Sequence, residues 1–197
     1  MSNKLNVVWT PGHFIGGHPA LDLTNTVFTR HMPEAENDLL NSPRDVGNWL
    51  HVAGLGTKAQ ADAVSGIPAP ALMESVRELR EASFSIFNAL AAGTPPATEA
   101  MGLLFERAAN GLSAGGLALA QTEGTPQIVR FDDPVAIVAL LATISIEAYF
   151  VLPRERLHAC PRCGWLFVDT SRGGKRRWCS MQTCGNREKS SRYKKKV

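Results

Sequence analysis

Residues Cys160 to Lys196, CPRCGWLFVDTSRGGKRRWCSMQTCGNREKSSRYKKK, hold all four cysteines of the 197-residue chain. They fall as two close pairs, Cys160-x2-Cys163 and Cys179-x4-Cys184, with fifteen residues between them. Each close pair turns sharply and the spacer returns the second turn to the first, which is how a chain gathers four thiolates around one tetrahedral ion. Two other uses are open at this level. A pair of disulfides belongs to small secreted frameworks, and a Cys-x-x-Cys redox pair would leave Cys179 and Cys184 without a role. Tetrahedral four-sulfur sites suit zinc or iron, and a structural Zn2+ is the expected occupant. Four cysteine ligands leave no open position, so the ion should hold the fold and do no chemistry. His158, close in sequence, is read as a surface residue.

Local structure follows from the neighbours. Cys160-Pro161-Arg162-Cys163-Gly164 reads as a knuckle, with Gly164 free to take a positive φ. Trp165 to Val168 is β-prone, and Ser171-Arg172-Gly173-Gly174 is a turn signal, so Arg176 to Cys179 is expected to return as the partner strand of a small hairpin. Arg187 to Lys195 contains no glycine or proline and suits a short helix, with Cys184 near its N-terminus. Knuckle, hairpin and helix make a treble-clef-like unit. It is too small for a core of its own, so metal binding should supply much of its folding free energy.

Charge divides the chain at the same place. Residues 153–197 hold thirteen Lys or Arg against three acidic residues, a balance of +10, and residues 1–152 hold eight against fifteen, a balance of −7. A basic, metal-stapled module interleaved with Trp165, Trp178 and Tyr193 has the profile of a nucleic-acid binder. The candidate contacts are Arg172, Lys175, Arg176, Arg187, Lys189, Arg192, Lys194 and Lys195. Some of this charge could instead neutralise the thiolate cluster, or face an acidic protein partner. Asn186 could bond adenine or brace the metal loop.

Several short motifs in this stretch carry a resemblance. Cys160-x2-Cys163, Phe167-x-Asp169-x-Ser171, Arg177-Trp178-Cys179-Ser180 and Cys184-Gly185-Asn186-Arg187-x-Lys189 resemble the CGNR zinc finger, a module that closes bacterial stress-induced transcription regulators. Near the start, Gly16-Gly17-His18-Pro19-Ala20-Leu21-Asp22-Leu23-Thr24-Asn25-Thr26 is similar to the opening of the helical ABATE domain found ahead of that finger. The resemblance implies a DNA-binding finger behind a domain with a ligand-sensing role, over nearly the whole length.

The expected architecture is mainly α: a helical domain with a small β-hairpin at 1–152, and the finger with its basic tail at 153–197. About 150 residues can bury a sizeable core. The N-terminal stretch lacks the apolar run of a signal peptide, and a cytoplasmic protein is expected. Residues 20 to 28 can be helical after Pro19. There His18, Asp22, Asn25 and Arg30 could hydrogen-bond a small-molecule effector, or Asp22 and Asn25 could tie down the Gly16-Gly17 turn. Ser42-Pro43-Arg44-Asp45 is a helix start, with Trp49 in the core. A short helix is expected from Thr57 to Val64. Between Pro70 and Gly93 the residues Leu72, Val76, Leu79, Ser83, Ile86 and Leu90 form one apolar stripe, with Arg77, Arg80 and Glu81 on a mostly solvated face. Thr98 to Ala109 forms the next helix, with Leu103, Leu104 and Phe105 towards the core. Leu117–Gln121 and Gln127–Phe131 read as a hairpin around Glu123–Pro126. Asp133-Pro134 opens a helix to about Leu152 that is apolar nearly all round. With about twelve residues before Glu147 it falls short of a bilayer and is read as a buried central helix.

No paired-histidine metal motif, phosphate-cradling glycine loop or nucleophile elbow is present, and the five histidines are scattered, so catalysis is not expected. Double-stranded DNA is the expected partner. An RNA-binding module and an adaptor for an acidic protein are the competing readings.

Overall fold

The computed structural model describes residues 7–32, 37–119, 126–128 and 130–194. Helix α1 (Pro19–Thr24) is followed by α2 (Pro43–Val52), α3 (Lys58–Val64), α4 (Ala69–Ala91) and α5 (Thr98–Ser113). The short strands β1 (Leu117–Leu119) and β2 (Pro126–Ile128) pair antiparallel, with Leu117 opposite Ile128 and Leu119 opposite Pro126. The expected turn at 123–125 lies outside the described residues. Helix α6 (Pro134–Val151) then leads through a 3-10 turn at Arg154–Arg156 into β3 (Leu157–Ala159), β4 (Leu166–Val168) and α7 (Asn186–Lys194).

Capping places the helix starts where the sequence puts them. The Ser42 hydroxyl accepts from the Asp45 amide, Thr57 and Gln60 form a reciprocal capping box, and Asp133 accepts from Val135. Pro19, Pro43 and Pro134 occupy first-turn positions, where a missing N–H costs nothing. On α4, Leu72, Val76, Leu79, Ser83 and Ile86 are fully buried, as the stripe predicts, and Trp49 lies in the same core.

Helix α6 is the centre of the molecule, packed by α4, α5, α1 and the β1–β2 hairpin. It runs past Glu147 to Val151, so its 18 residues are long and apolar enough by composition to cross a membrane, contrary to the length argument. Residues 136–142 are buried in an unbroken run, as in a core helix wrapped by its neighbours. Its approach to α5 depends on Gly111, where a Cβ would lie 2.0 Å from the Ala139 Cβ. That register also corrects one expectation. The buried face of α5 is Leu104, Ala108 and Gly111, spaced four and three, which turns Phe105 outward to 50% exposure.

A second correction concerns Arg80, expected on a solvated face. It is fully buried, four residues after Val76 and three before Ser83, in phase with the stripe. Its guanidinium pairs with Asp38 (Nη1–Oδ1, 2.7 Å) and with Glu81 (Nε–Oε1, 2.8 Å). Burial works against its charge, but the hydrogen bond and field of Asp38 outweigh it and hold the group above its usual range. Arg77 reaches the other Asp38 oxygen at 2.7 Å, so two helix cations clamp the segment after residue 37. Finally, α1 ends at Thr24 and does not reach Phe28. Val27 forms an isolated antiparallel bridge with Asp38, and Phe28 is 45% exposed.

Candidate metal centre and its seat on the helical domain

The knuckle forms as expected. Gly164 has φ +78°, its amide donates to the Cys160 carbonyl at 2.8 Å, and the Cys160 amide donates to the Trp165 carbonyl at 2.8 Å. The hairpin partner differs. β4 pairs antiparallel with β3, which precedes the knuckle, with Leu157 opposite Val168 and Ala159 opposite Leu166. Arg176 to Cys179 runs as irregular chain because Asp169 gathers that loop from inside. Its carboxylate accepts from the Ser171 amide at 2.8 Å and the Arg176 amide at 2.7 Å, and its own amide donates to the Arg156 carbonyl at 2.8 Å. The hydrogen bond from the Arg176 amide, and then those from Ser171, hold its pKa down at about 2. Held to the carboxylate at Ser171 and at Arg176, the loop is bent at both ends and Arg176 cannot open a strand ladder with its own amide.

Cys184 lies in a single π-helical turn, Met181–Gly185, that runs directly into α7, so it sits at that helix's N-terminus as expected. The Asn186 side-chain amide donates to the Gln182 carbonyl at 3.3 Å and braces this turn. At Gly185 a Cβ would lie 2.7 Å from the Met181 sulfur, so a side chain there would have to displace the end of that half-exposed methionine.

The four sulfurs converge. All lie within 4.8 Å of one another, and Cys179 Sγ is 3.6 Å from both Cys163 Sγ and Cys184 Sγ. All four cysteines are free, which removes the disulfide reading. Sulfurs 2.3 Å from a tetrahedral centre are about 3.8 Å apart, so the cage fits a zinc ion. Hydrogen bonds from Cys163 and Cys179 lower the Cys160 thiol, and donating to Cys160 pushes both of those thiols up. Sulfurs at this spacing share protons unless a cation holds all of them as thiolates. The donor set therefore fits a closed structural site.

The cage is seated on the helical domain by backbone bonds. The Asn25 side chain donates to the Leu166 carbonyl at 2.8 Å and accepts from the Leu166 amide at 2.8 Å. The Trp165 indole donates to the Val27 carbonyl at 2.7 Å, the Arg30 amide to the Cys163 carbonyl at 2.8 Å, and the Val168 amide to the Gly16 carbonyl at 2.9 Å. Leu157 and Leu166 join the main core, while Trp165 and Phe167 pack with the cysteines. His158, expected at the surface, is half-buried with its ring 5.8 Å from that of Phe167.

The four residues considered for a ligand are engaged within the fold. His18 caps α1 and meets Glu147 at 2.9 Å, and Asp22 accepts from the Gly16 amide at 2.7 Å. Arg30 bonds Glu81 and the Thr24 carbonyl and lies over the Phe84 ring. Thus Asp22 ties the Gly16-Gly17 turn, and Asn25 holds the finger. Burial pushes the Asp22 carboxyl up to about 7, against the opposing pull of the Gly16 amide.

Of the cations considered for nucleic acid, Arg172, Lys175, Arg187, Lys189, Arg192 and Lys194 are exposed. Arg176 is turned inward, donating to the Trp178 carbonyl at 2.9 Å and to the Cys179 carbonyl, over the Phe167 ring. Arg192 and Arg162 both reach Glu188, which they hold below its usual range, Arg192 contributing most. Lys195 lies outside the described residues.

Comparison with known families agrees with this division of the chain. Residues 17–153 match the ABATE family, described as "Putative stress-induced transcription regulator", and residues 156–196 match the CGNR zinc finger. A search of curated proteins finds no match. With the first match spanning most of its length, the chain belongs to the ABATE family and carries a CGNR zinc finger behind the helical domain.

Proposed function

We propose that the finger binds duplex DNA through its phosphates. The observation that carries this reading is the state of five cations: Arg172, Lys175, Arg187, Lys189 and Lys194 are exposed, and none has a carboxylate partner among the described residues. Neutralising a four-thiolate zinc centre takes two charges; Arg176, which donates to the Cys179 carbonyl, and Arg187, on the groove lined by Cys163, Cys179 and Cys184, are placed for that duty. The remaining cations are surplus to it, and surplus charge held on a rigid metal-stapled surface favours a polyanion. Arg187 and Lys189 sit in the first turn of α7, where a short helix can present them to a groove or its rim.

The acidic balance of residues 1–152 could have covered this surface. Among the described residues, however, no ion pair joins a finger cation to a carboxylate of the helical domain. The regulator would then act on DNA in the cytoplasm without prior unmasking. Fluorescence anisotropy of labelled duplex DNA across a range of salt concentrations tests this. About five phosphate contacts give a slope of about −4 to −5 in log affinity against log salt. Replacing Arg187 and Lys189 together by alanine should shallow that slope by about 2. An affinity indifferent to salt, or stronger for single-stranded RNA, would overturn the reading.

A further inference from the structure

The four ligands of the cage are not equally protected. Cys160 and Cys179 are 1% exposed and Cys184 5%, whereas Cys163 is only half-buried. Cys163, Cys179 and Cys184 line a groove of about 240 Å3 beside the Thr10–His13 turn, with Phe28 and Arg187 on its walls. Cys160 is not on it. A small polar reagent entering this groove from solvent therefore meets Cys163 as the most exposed of the four cysteines, with Cys179 Sγ 3.6 Å from its sulfur.

We infer that Cys163 is an oxidation site, at which a hydroperoxide converts the metal centre into a Cys163–Cys179 disulfide and releases the ion. The inference rests on the metal centre and is independent of nucleic-acid binding. With hydrogen peroxide, the Cys163 sulfur attacks one oxygen. An S–O bond forms as the O–O bond breaks, leaving a sulfenic acid and hydroxide. Cys179 then attacks the sulfenic sulfur, an S–S bond forms, the S–O bond breaks, and a second hydroxide leaves. The two sulfurs together lose two electrons, the two peroxide oxygens gain them, and protons from the medium carry both hydroxides to water. Cys160 and Cys184 alone are too few to hold a closed tetrahedral site.

The site is also placed to be felt elsewhere. The Cys163 carbonyl accepts from the Arg30 amide, and the neighbouring Trp165 indole is bonded to Val27. Pulling Cys163 towards Cys179 therefore strains the contact between finger and helical domain.

The test uses the zinc-loaded full chain treated with increasing hydrogen peroxide. Freed zinc is followed with a colorimetric chelator, and products are mapped by alkylation and mass spectrometry. Trypsin cleaves after Arg162 and so separates Cys160 from Cys163, and fragment spectra of the Trp178–Arg187 peptide distinguish Cys179 from Cys184. The expected result is one zinc released for each Cys163–Cys179 link, at matching rates, reversed by dithiothreitol with added zinc. A first link containing Cys160 would overturn the proposal. So would sulfoxidation of the exposed Met181 while zinc stays bound and all four thiols resist alkylation.

Replacing Cys163 removes a ligand, so access is probed instead with Gly12→Trp at the groove. Only Thr10 Oγ1, at 3.6 Å, lies near a Cβ there. Zinc content should be unchanged and peroxide-driven release slowed on the order of threefold or more, since exchange chemistry depends on access. An unchanged rate would show that the groove is not the route.

Discussion

The side-chain amide of Asn25 satisfies both backbone groups of Leu166, donating to its carbonyl and accepting from its amide, each at 2.8 Å, across 141 residues of chain. One residue of the first helix's C-terminal cap thus completes the ladder edge of a strand in the metal-binding module. Asn25 is 2% exposed, so neither partner has water to fall back on.

Asn25→Ala should therefore leave a buried N–H and C=O unpaired and lower stability by about 2 to 4 kcal/mol, since each orphaned group costs about 1 to 3 kcal/mol. Asn25→Asp should do worse than its size suggests, because it keeps the acceptor but loses the donor and sets a carboxylate beside the Leu166 carbonyl. Thermal and denaturant unfolding of the two variants against the parent chain decides it. An unchanged midpoint in both would mean that the clamp contributes nothing.

Because the finger is held by this clamp and by Trp165, Arg30 and Val168, it should not unfold alone. Removing zinc with a strong chelator is expected to lower the melting temperature of the whole chain and to loosen the segment around Gly16 to Arg30 along with residues 157–186. Amide hydrogen exchange with and without chelator reads both regions at once. Faster exchange confined to the finger would show that the two parts are energetically separate.

Gly164 offers a sharper local test. Its φ of +78° disfavours any side chain, and a Cβ there would lie 2.5 Å from the Arg30 Cβ. Gly164→Ala should cost about 1 to 3 kcal/mol through strain and overpacking. Gly173→Ala, where no atom lies within 4 Å, serves as the control and should stay within about 0.5 kcal/mol of the parent.

The buried ion pair makes a different prediction. Asp38→Ala leaves the guanidinium of Arg80 buried without its main partner, a loss of about 3 to 5 kcal/mol. Arg80→Met in the same chain should recover part of that loss, since an uncompensated buried charge is worse than none. A double variant no more stable than Asp38→Ala would argue against charge burial as the cause.

Asp22 should impose a pH dependence of its own. Its carboxyl is raised from 3.8 to about 7 by burial, so between those values the folded state binds a proton that the unfolded chain has released. Stability from this group is therefore full below about pH 4 and declines as pH rises, levelling off above about 7, with an upper limit of about 4 kcal/mol. Asp22→Asn keeps an oxygen for the Gly16 amide and cannot ionise. The stability difference between this variant and the parent chain should accordingly grow in the variant's favour from about pH 4 to about pH 7. A constant difference over that window would mean that the native Asp22 titrates normally.

Much of this molecule is legible one segment at a time. Ser42, Thr57 and Asp133 start helices where their hydroxyl or carboxylate can reach a free amide, and the stripe on α4 lies where its spacing puts it. The cysteine pairs announce a cage because four thiolates at two sharp turns have few other uses. Harder to read were residues whose role depends on a distant partner. Arg80 is in phase with the buried stripe, a usable signal, but a charged residue is placed inside only if Asp38 is known to meet it. Phe105 reads as core by composition, and the close approach at Gly111 fixed the register that turned it out.

The sequence alone determined the order of helices, the ligand set and the uneven distribution of charge, because capping, periodicity and ligand spacing are local or nearly so. Tertiary structure decided that β4 pairs with β3, while Asp169 takes the Ser171 and Arg176 amides of the following loop. It also gave Asn25 and Asp22 structural work, and left Cys163 the most exposed of the four cysteines. Hydrogen-bond satisfaction is a property of the assembled chain: a polar side chain declares what it can bond, and only the fold supplies what it does bond.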